Sequence, residues 1–498
     1  MAYVNYNVGL FIQNANNNLF STNDSFDVIN GFGGVDTVSY ATVTTSGVNV
    51  DLSIRGFQNT GGSYFDYLID IENLTGSKFN DTLSGNSGNN VLNGGAGIDT
   101  VSYRRATGAV FVDLSNLASQ NTGAAGWDTL KNFENLTGSD FNDTLKGNTG
   151  KNILNGGAGI DTVAYEYSAT GVVVSLSISA AQNTIGAGID TLISFENLTG
   201  SFFNDNLTGS TGDNNLSGLK GLDTLVGTIG YDTLDGGTED DLADYRNLGG
   251  SITLKDFGVV DKDPFGDDRL ISIEAVWGSV DSGDTIDYGG INTAGSSTDL
   301  SSSVTNTPSG LIFTVSFFEN VIGSDLSDSI TGDQANNILS GGGGSDKING
   351  FSGNDALSGD KGIDYLNGGL GDDFIDGGYD QDFLSDNTGV DIFNFSELSH
   401  TAVGSPDVIT GFVSGSTVGV SDFIGLSMID ANSASIGDEG FTSLINSPLT
   451  YTANAQLRWW TVGPDLFLYG NTDGINTTDE FAIQISGLST ISLANIIP

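Results

Sequence analysis

The residues of this sequence best placed to do chemistry are aspartates in strict phase. From Gly323 the chain runs in blocks of nine, GSDLSDSIT, GDQANNILS, GGGGSDKIN, GFSGNDALS, GDKGIDYLN, GGLGDDFID, GGYDQDFLS and DNTGVDIFN. The sixth place holds Asp328, Asn337, Asp346, Asp355, Asp364, Asp373, Asp382 and Asp391 in turn. A solvated surface has no need of such phase. Brought into register, these carboxylates repel one another unless a cation lies between them. The ion that suits them is hard, takes about six to eight oxygens in irregular geometry and accepts peptide carbonyls as well as carboxylates; calcium is such an ion.

Placing those carboxylates requires very short strands and tight turns. The eighth place is always apolar, with Ile330, Leu339, Ile348, Leu357, Leu366, Ile375, Leu384 and Phe393. Each block therefore reads as a three-residue strand with one inward side chain plus a glycine-rich turn, where positive φ favours glycine. Two blocks make one coil of 18 residues, so block n stacks on block n + 2. Asp346, Asp364 and Asp382 then line one edge and Asp355, Asp373 and Asp391 the other, at about one strand separation of 4.8 Å. Of the six stacked pairs among these eight blocks, Asn337 with Asp355 is expected to be the weakest, because one charge is missing. The pattern G-G-x-G-x-D-x-U-x resembles the RTX (repeats-in-toxin) nonapeptide, and that resemblance implies an all-β chain folded as a calcium-binding parallel β-roll or β-helix solenoid.

Earlier blocks carry the same signal inside a longer period. Asp27 and Asp36 come first. Glu72, Glu134 and Glu196 then recur at a spacing of 62 in the phrases IENLTGS, FENLTGS and FENLTGS. Between them lie Asp81, Asn90 and Asp99, then Asp143, Asn152 and Asp161, and after Glu196 come Asp205, Asn214, Asp223, Asp232 and Asp241. The rest of each unit reads as two longer strands, in the second unit around Val110, Val112 and Leu114 and then Leu130, Phe133 and Leu136. Glu274 and Glu319 echo the unit in LISIEAVWGS and VSFFENVIGS. These glutamates either add a calcium ligand or hydrogen-bond a turn at a strand end; the second reading is favoured, since Asp and carbonyl oxygens already supply ligands. The Asn-Leu-Thr triplets at Asn73, Asn135 and Asn197 match a glycosylation acceptor, but their spacing assigns them to the repeat.

The expected organisation is a cap over 1–21, an RTX solenoid over 22–244, irregular enlarged coils over 245–322, a regular roll over 323–394 and a separate module over 395–498. A small inserted β-domain is the alternative for 245–322. The last segment resembles the C-terminal module of the serralysin family of secreted metalloproteases. Its markers are Asp407-Val408-Ile409 with Phe412, Asp422-Phe423-Ile424 with Leu426 and Ser427, Asp473-Gly474, and Phe481 to Gly487. The resemblance implies a type I secretion signal at the C-terminal end. No protease domain accompanies it: His400 is the single histidine, so H-E-x-x-H cannot be written.

Composition excludes several function classes. A net charge of −47 argues against nucleic acid and against anionic membrane as partners. There is no apolar run of about 18 residues to insert into a membrane, and no cysteine for disulfides or thiolate sites. The N-terminus MAYVNYNVGL lacks the basic start of a secretory leader, so export is expected by another route. No nucleophile elbow or Cys-His pair exists, and His400 is expected on the surface. Arg458, Trp459 and Trp460 form the one cationic-aromatic cluster; alternation along a strand makes one Trp core and leaves the other to stack on a sugar.

The sequence thus reads as an extracellular calcium-binding protein, not an enzyme, exported by type I machinery and folded by calcium outside the cell. Scarce calcium keeps the carboxylate files apart, and sites of about 10⁻⁴–10⁻³ M affinity fill at extracellular levels. The C-terminal roll emerges first and nucleates the earlier coils. A structural, surface-layer or adhesive role leads, with the chain itself or a cell-surface polysaccharide as partner, and calcium-dependent assembly in sedimentation would mark it. Carbohydrate binding follows, to be read from Trp459→Ala and Trp460→Ala. A polysaccharide-active enzyme on the solenoid face comes third, and it needs a groove of converging carboxylates that hold no calcium.

Overall fold

The computed structural model describes residues 8–12, 16–22, 24–280, 283–414, 421–426, 443–446, 456–471 and 479–497. Tyr3, Val4 and Tyr6 of the expected cap, and Ser427, Asp473 and Gly474 of the expected C-terminal module, lie outside the described residues. The chain divides into two compact units, residues 1–244 with 268–273, and residues 245–267 with 274–498.

The second unit contains the regular roll. Strands Ser329–Thr331, Lys347–Asn349, Tyr365–Asn367 and Phe383–Ser385 pair in parallel with Ser329 opposite Lys347, Lys347 opposite Tyr365 and Tyr365 opposite Phe383. The alternate blocks give a second parallel ladder, Ile338–Ser340, Ala356–Ser358, Phe374–Asp376 and Ile392–Asn394. The 18-residue coil is therefore the observed repeat. Each strand turns its middle residue inward, and the eighth-place side chains from Ile330 to Phe393 are all buried. A three-residue strand offers one such side chain, so no block can make a core alone and stacking supplies it.

The first unit is built from the same coils widened at intervals. In one of them, Phe111–Asp113 leads into Gln120–Asn121, which turns back antiparallel onto Trp127–Lys131 before Asn135–Thr137 resumes the parallel ladder. Val110, Val112, Leu114, Leu130, Phe133 and Leu136 are buried as their spacing predicts. The Asn-Leu-Thr triplets are ladder strands, Asn73–Thr75, Asn135–Thr137 and Asn197–Thr199. Backbone Val8–Ile12 pairs in parallel with Phe26–Asn30.

Residues 245–322 of the second unit follow the same plan. Thr253–Lys255 pairs in parallel with Thr285–Asp287, which pairs with Asn320–Ile322 and so with Ile338–Ser340 of the roll. Beyond Phe395 the nine-residue rhythm stops in sequence, yet stacking continues. Asp407–Thr410 adds to Phe383–Ser385, and Phe423–Gly425 adds to Ile392–Asn394. An antiparallel set, Gln456–Val462, Asp465–Asn471 and Phe481–Ile485, follows, and Ile496–Ile497 then pairs in parallel with Phe423–Gly425. No helix among the described residues is long and apolar enough to cross a membrane.

Two expectations need correction. His400 is buried, not on the surface, with its ring edge-on to Tyr379 and its Nδ1 3.5 Å from Asp376 Oδ1. Neither Trp459 nor Trp460 is core: both are half-buried, and Arg458 is the buried member of the trio, paired with Asp479. Trp460 lies flat on Tyr469 with ring centres 4.2 Å apart. The guanidinium turns inward because a carboxylate waits there to neutralise it.

Candidate metal centres

One hydrogen bond recurs through the coils and places the aspartates. The backbone N–H of a sixth-place residue donates to Oδ1 of the sixth-place carboxylate one coil on. On one edge Asp328, Asp346 and Asp364 donate to Asp346, Asp364 and Asp382 at 2.7, 2.7 and 2.9 Å. On the other, Asn337, Asp355 and Asp373 donate to Asp355, Asp373 and Asp391 at 2.8, 2.8 and 2.9 Å. Asp81 to Asp99, Asp143 to Asp161, Asp205 to Asp223 and Asp223 to Asp241 repeat it in the first unit. The two files follow the expected phase, and every member is buried.

What the second carboxylate oxygen meets divides the turns into two kinds. In four nine-residue blocks with serine at the second place, the turn closes on itself. Ser77 bonds Asp81 through both its N–H and its hydroxyl, as do Ser139 with Asp143, Ser201 with Asp205 and Ser324 with Asp328. Thr228 does the same for Asp232 at longer range. The other blocks are open. Oδ2 of Asp36, Asp99, Asp161, Asp223, Asp346, Asp355, Asp364, Asp373, Asp382 and Asp391 is buried with no hydrogen-bond donor.

The backbone differs in step. In open turns that begin with glycine the second place takes positive φ, at Gly342 and Gly378 (90° and 93°) and even at Phe351 and Asp360 (75° and 66°), whereas none of the four serines does. A left-handed residue turns its N–H away from the carboxylate, which leaves the oxygen unmet. Glycine at the first place keeps the space beside it clear. A Cβ added to Gly359 would strike both Asp364 Oδ2 and the carbonyl oxygen of Gly377, and one added to Gly350 would strike Asp355 Oδ2 and the Gly368 carbonyl. Open turns therefore gather a carboxylate oxygen and a peptide oxygen around a pocket without a donor.

The asparagines close their turns in another way. Nδ2 of Asn90, Asn152, Asn214 and Asn337 donates to the carbonyl of Glu72, Glu134, Glu196 and Glu319 one coil back, at 2.7, 2.7, 2.7 and 3.0 Å. The amide bridges two coils with its own protons. The same glutamates take the aspartate's part in the file: Oε2 of Glu72, Glu134, Glu196 and Glu319 accepts the N–H of Asp36, Asp99, Asp161 and Asp284 at 2.7, 2.8, 2.8 and 3.0 Å. Hydrogen-bonding a turn is thus what Oε2 of these four side chains does.

Several members of the files escaped the sequence reading. Asp66, Asp128 and Asp190, themselves 62 apart, accept the N–H of Asp27, Asn90 and Asn152. Asp268 accepts that of Asp232, Asp407 that of Asp382 and Asp422 that of Asp391. Their blocks are not nine residues long, so counting in nines passes over them; the 62-residue spacing was the available signal. In two of the widened coils hydroxyls meet the second oxygen. Tyr103 and Thr122 donate to Asp128 Oδ2 at 3.0 and 3.1 Å, and Tyr40 and Thr60 to Asp66 Oδ2 at 3.1 Å each.

Burial lifts eight of the open-turn carboxyls well above their ordinary range. Asp346, Asp355, Asp364 and Asp382 are pushed up to about 7, and Asp99, Asp161, Asp223 and Asp373 to about 6; desolvation is the largest cause, and neighbouring carboxylates add to it. Unmet buried oxygens, peptide carbonyls and a glycine-cleared pocket fit a hard, oxygen-bound cation.

Comparison with known proteins agrees with that chemistry. The family model described as RTX calcium-binding nonapeptide repeat (4 copies) matches residues 13–41, 61–101, 133–163, 199–234, 217–244, 322–356 and 349–384. The matches end before the segment that resembles the serralysin module. No curated protein matches the chain. Among solved structures, the AlgE6R3 subunit of the Azotobacter vinelandii mannuronan C5-epimerase matches at 23% identity and TM-score 0.20, covering 35% of this chain and 80% of that one. The in-phase aspartates, the 18-residue parallel coil and the family match together identify the chain as a carrier of RTX calcium-binding nonapeptide repeats, whose bound ions are calcium.

Proposed function

We propose that this chain is an extracellular structural protein, of a surface layer or an adhesive coat, whose coils are closed by calcium after type I export. The observation that carries the reading is the row of buried aspartates with one unmet oxygen each, which calcium would complete. Asp36, Asp99, Asp161, Asp223, Asp346, Asp355, Asp364, Asp373, Asp382 and Asp391, together with Asp407, are the proposed ligands, each joined by turn carbonyls. Asp27 and Asp241 sit in the same files. Asp81, Asp143, Asp205, Asp232 and Asp328 have their own hydroxyl donors and act as ion-free members.

The chemistry that calcium supplies is charge neutralisation; the rest belongs to the chain. The turns hold each carboxylate by its Oδ1, exclude water by burial, and aim Oδ2 at a peptide oxygen of the next coil. Without the ion, repulsion along each file opposes stacking and leaves a loose chain suited to passage through an export channel. Few charges of opposite sign are available to relieve it, with 15 basic against 62 acidic residues. The absence from this sequence of a nucleophile elbow or a zinc-protease motif supports a non-catalytic role.

A calcium titration of chelator-treated protein, followed by circular dichroism and light scattering, tests the reading. Strand signal should rise in the millimolar range, and scattering should rise with it or after it. An unchanged spectrum with and without calcium would overturn calcium-driven folding, and a strict monomer at all calcium levels would overturn the assembling role.

A further inference from the structure

The last block of the roll breaks the repeat's rule at its first place. Every block from Gly323 to Gly377 begins with glycine, and block 386–394 begins with Asp386. At Gly350 and Gly359 the first-place pocket receives the carbonyl oxygen of the first-place glycine one coil on. At Gly368 the corresponding residue is Asp386, and it is the side-chain Oδ1 that enters, beside Asp373 Oδ2. A neutral peptide oxygen is thus exchanged for a carboxylate.

The exchange brings three carboxylates together. Oxygens of Asp373, Asp386 and Asp391 all lie within 4.8 Å of one another. Asp373 and Asp391 are 3% and 1% exposed, and each has an Oδ2 with no donor, while their Oδ1 atoms are held by the N–H groups of Asp355 and Asp373. Asp386 Oδ1 is fixed by the Gly369 N–H at 3.0 Å. No ion pair among the described residues reaches any of the three. The other open turns present fewer charged oxygens, and the number of charged ligands is what tunes calcium affinity in oxygen sites.

We propose that Asp373, Asp386 and Asp391 form a cation site of higher affinity than the other turns, filled first on calcium addition and emptied last by chelator, which pins the final coil of the roll. Asp422 lies on the coil next to it, accepting the Asp391 N–H through Oδ1 at 3.3 Å and the Val413 N–H through Oδ2 at 2.6 Å. The ion would therefore lock the coil onto which the last strands are laid. This site presupposes calcium binding by the turns as proposed above, and the experiment separates the two.

Full-length protein stripped of metal is titrated with calcium chloride by calorimetry, and with terbium by luminescence under calcium competition. Two variants are compared with the wild type: Asp386→Gly, which restores the first place of the repeat, and Asp386→Asn, which keeps an acceptor for the Gly369 N–H but removes the charge. In both, the tightest class should lose about one ion per chain and its affinity should fall at least tenfold, with the remaining sites and the calcium-saturated spectrum unchanged. A tightest class unaltered in both variants, while calcium still fills other turns, would overturn this site and leave the proposed function standing. Loss in Asp386→Gly without loss in Asp386→Asn would overturn it too, since a neutral oxygen would then suffice. A wild-type chain that binds no calcium at any turn would overturn the proposed function, and this site with it.

Discussion

A buried carboxylate held by one oxygen and unmet at the other is costly, because desolvation is not repaid by a partner. The open-turn aspartates answer that cost in one of two ways, by an ion or by a proton. Burial raises Asp346, Asp355, Asp364 and Asp382 from 3.8 to about 7, so in the metal-free coil the neutral form persists up to near-neutral pH. The sign follows: a folded value above the unfolded one gives stability that is full below the unfolded pKa and is lost as pH rises through the folded one. In chelator, strand signal should therefore grow as pH falls from about 8 to about 5, with its midpoint near the raised carboxyl values. In millimolar calcium it should stay level over that range. A metal-free profile without slope in circular dichroism would contradict this. At the same scale, the second oxygen of Asp128 is met by Tyr103 and Thr122. Tyr103→Phe should cost about 1–3 kcal/mol in urea unfolding at saturating calcium, with the calcium stoichiometry by calorimetry unchanged, because no ion need serve that carboxylate.

At the scale of the turn, the second place decides between closure and opening. Serine offers its N–H and hydroxyl to the carboxylate, while a left-handed residue offers neither; Ser324 and Gly342 stand for the two cases in successive coils of one edge. Ser324→Gly should convert a closed turn into an open one, since the Gly323 pocket already faces Asp328 Oδ2 and the Gly341 carbonyl. Calcium stoichiometry by calorimetry should rise by about one per chain, as expected for one more oxygen site. An unchanged count would mean that the hydroxyl is not what keeps the ion out. The serines were plain in the sequence, but their meaning was not, because the same residue type is common in any turn. In sequence Asn337 is a site short of one charge; only the bond from its Nδ2 to the Glu319 carbonyl reveals a bridge that needs no ion.

For the whole molecule, much of the acid does not sit in a solvated coat but in buried files, so screening and bridging must differ in effect. Sodium chloride shortens the range of repulsion but supplies no divalent partner for two coils at once. At equal ionic strength, sodium should therefore leave the chelated chain expanded in small-angle scattering, and calcium should compact it. Equal compaction by both would make the files a matter of screening alone. Much of this was legible from order in the chain: a nine-residue phase of Asp328, Asp346, Asp364 and their neighbours fixes strand, turn, coil length and the element that stacks on each, because short-range periodicity alone sets which face a side chain takes. Tertiary structure decided what depends on atoms brought from different coils. It separated open from closed turns, drew Asp66, Asp128, Asp407 and Asp422 into the files despite their irregular spacing, turned Arg458 inward in place of a tryptophan, and set the Asp386 carboxylate where a peptide oxygen stands elsewhere. Those outcomes rest on distances between residues remote in sequence, which composition and period do not carry.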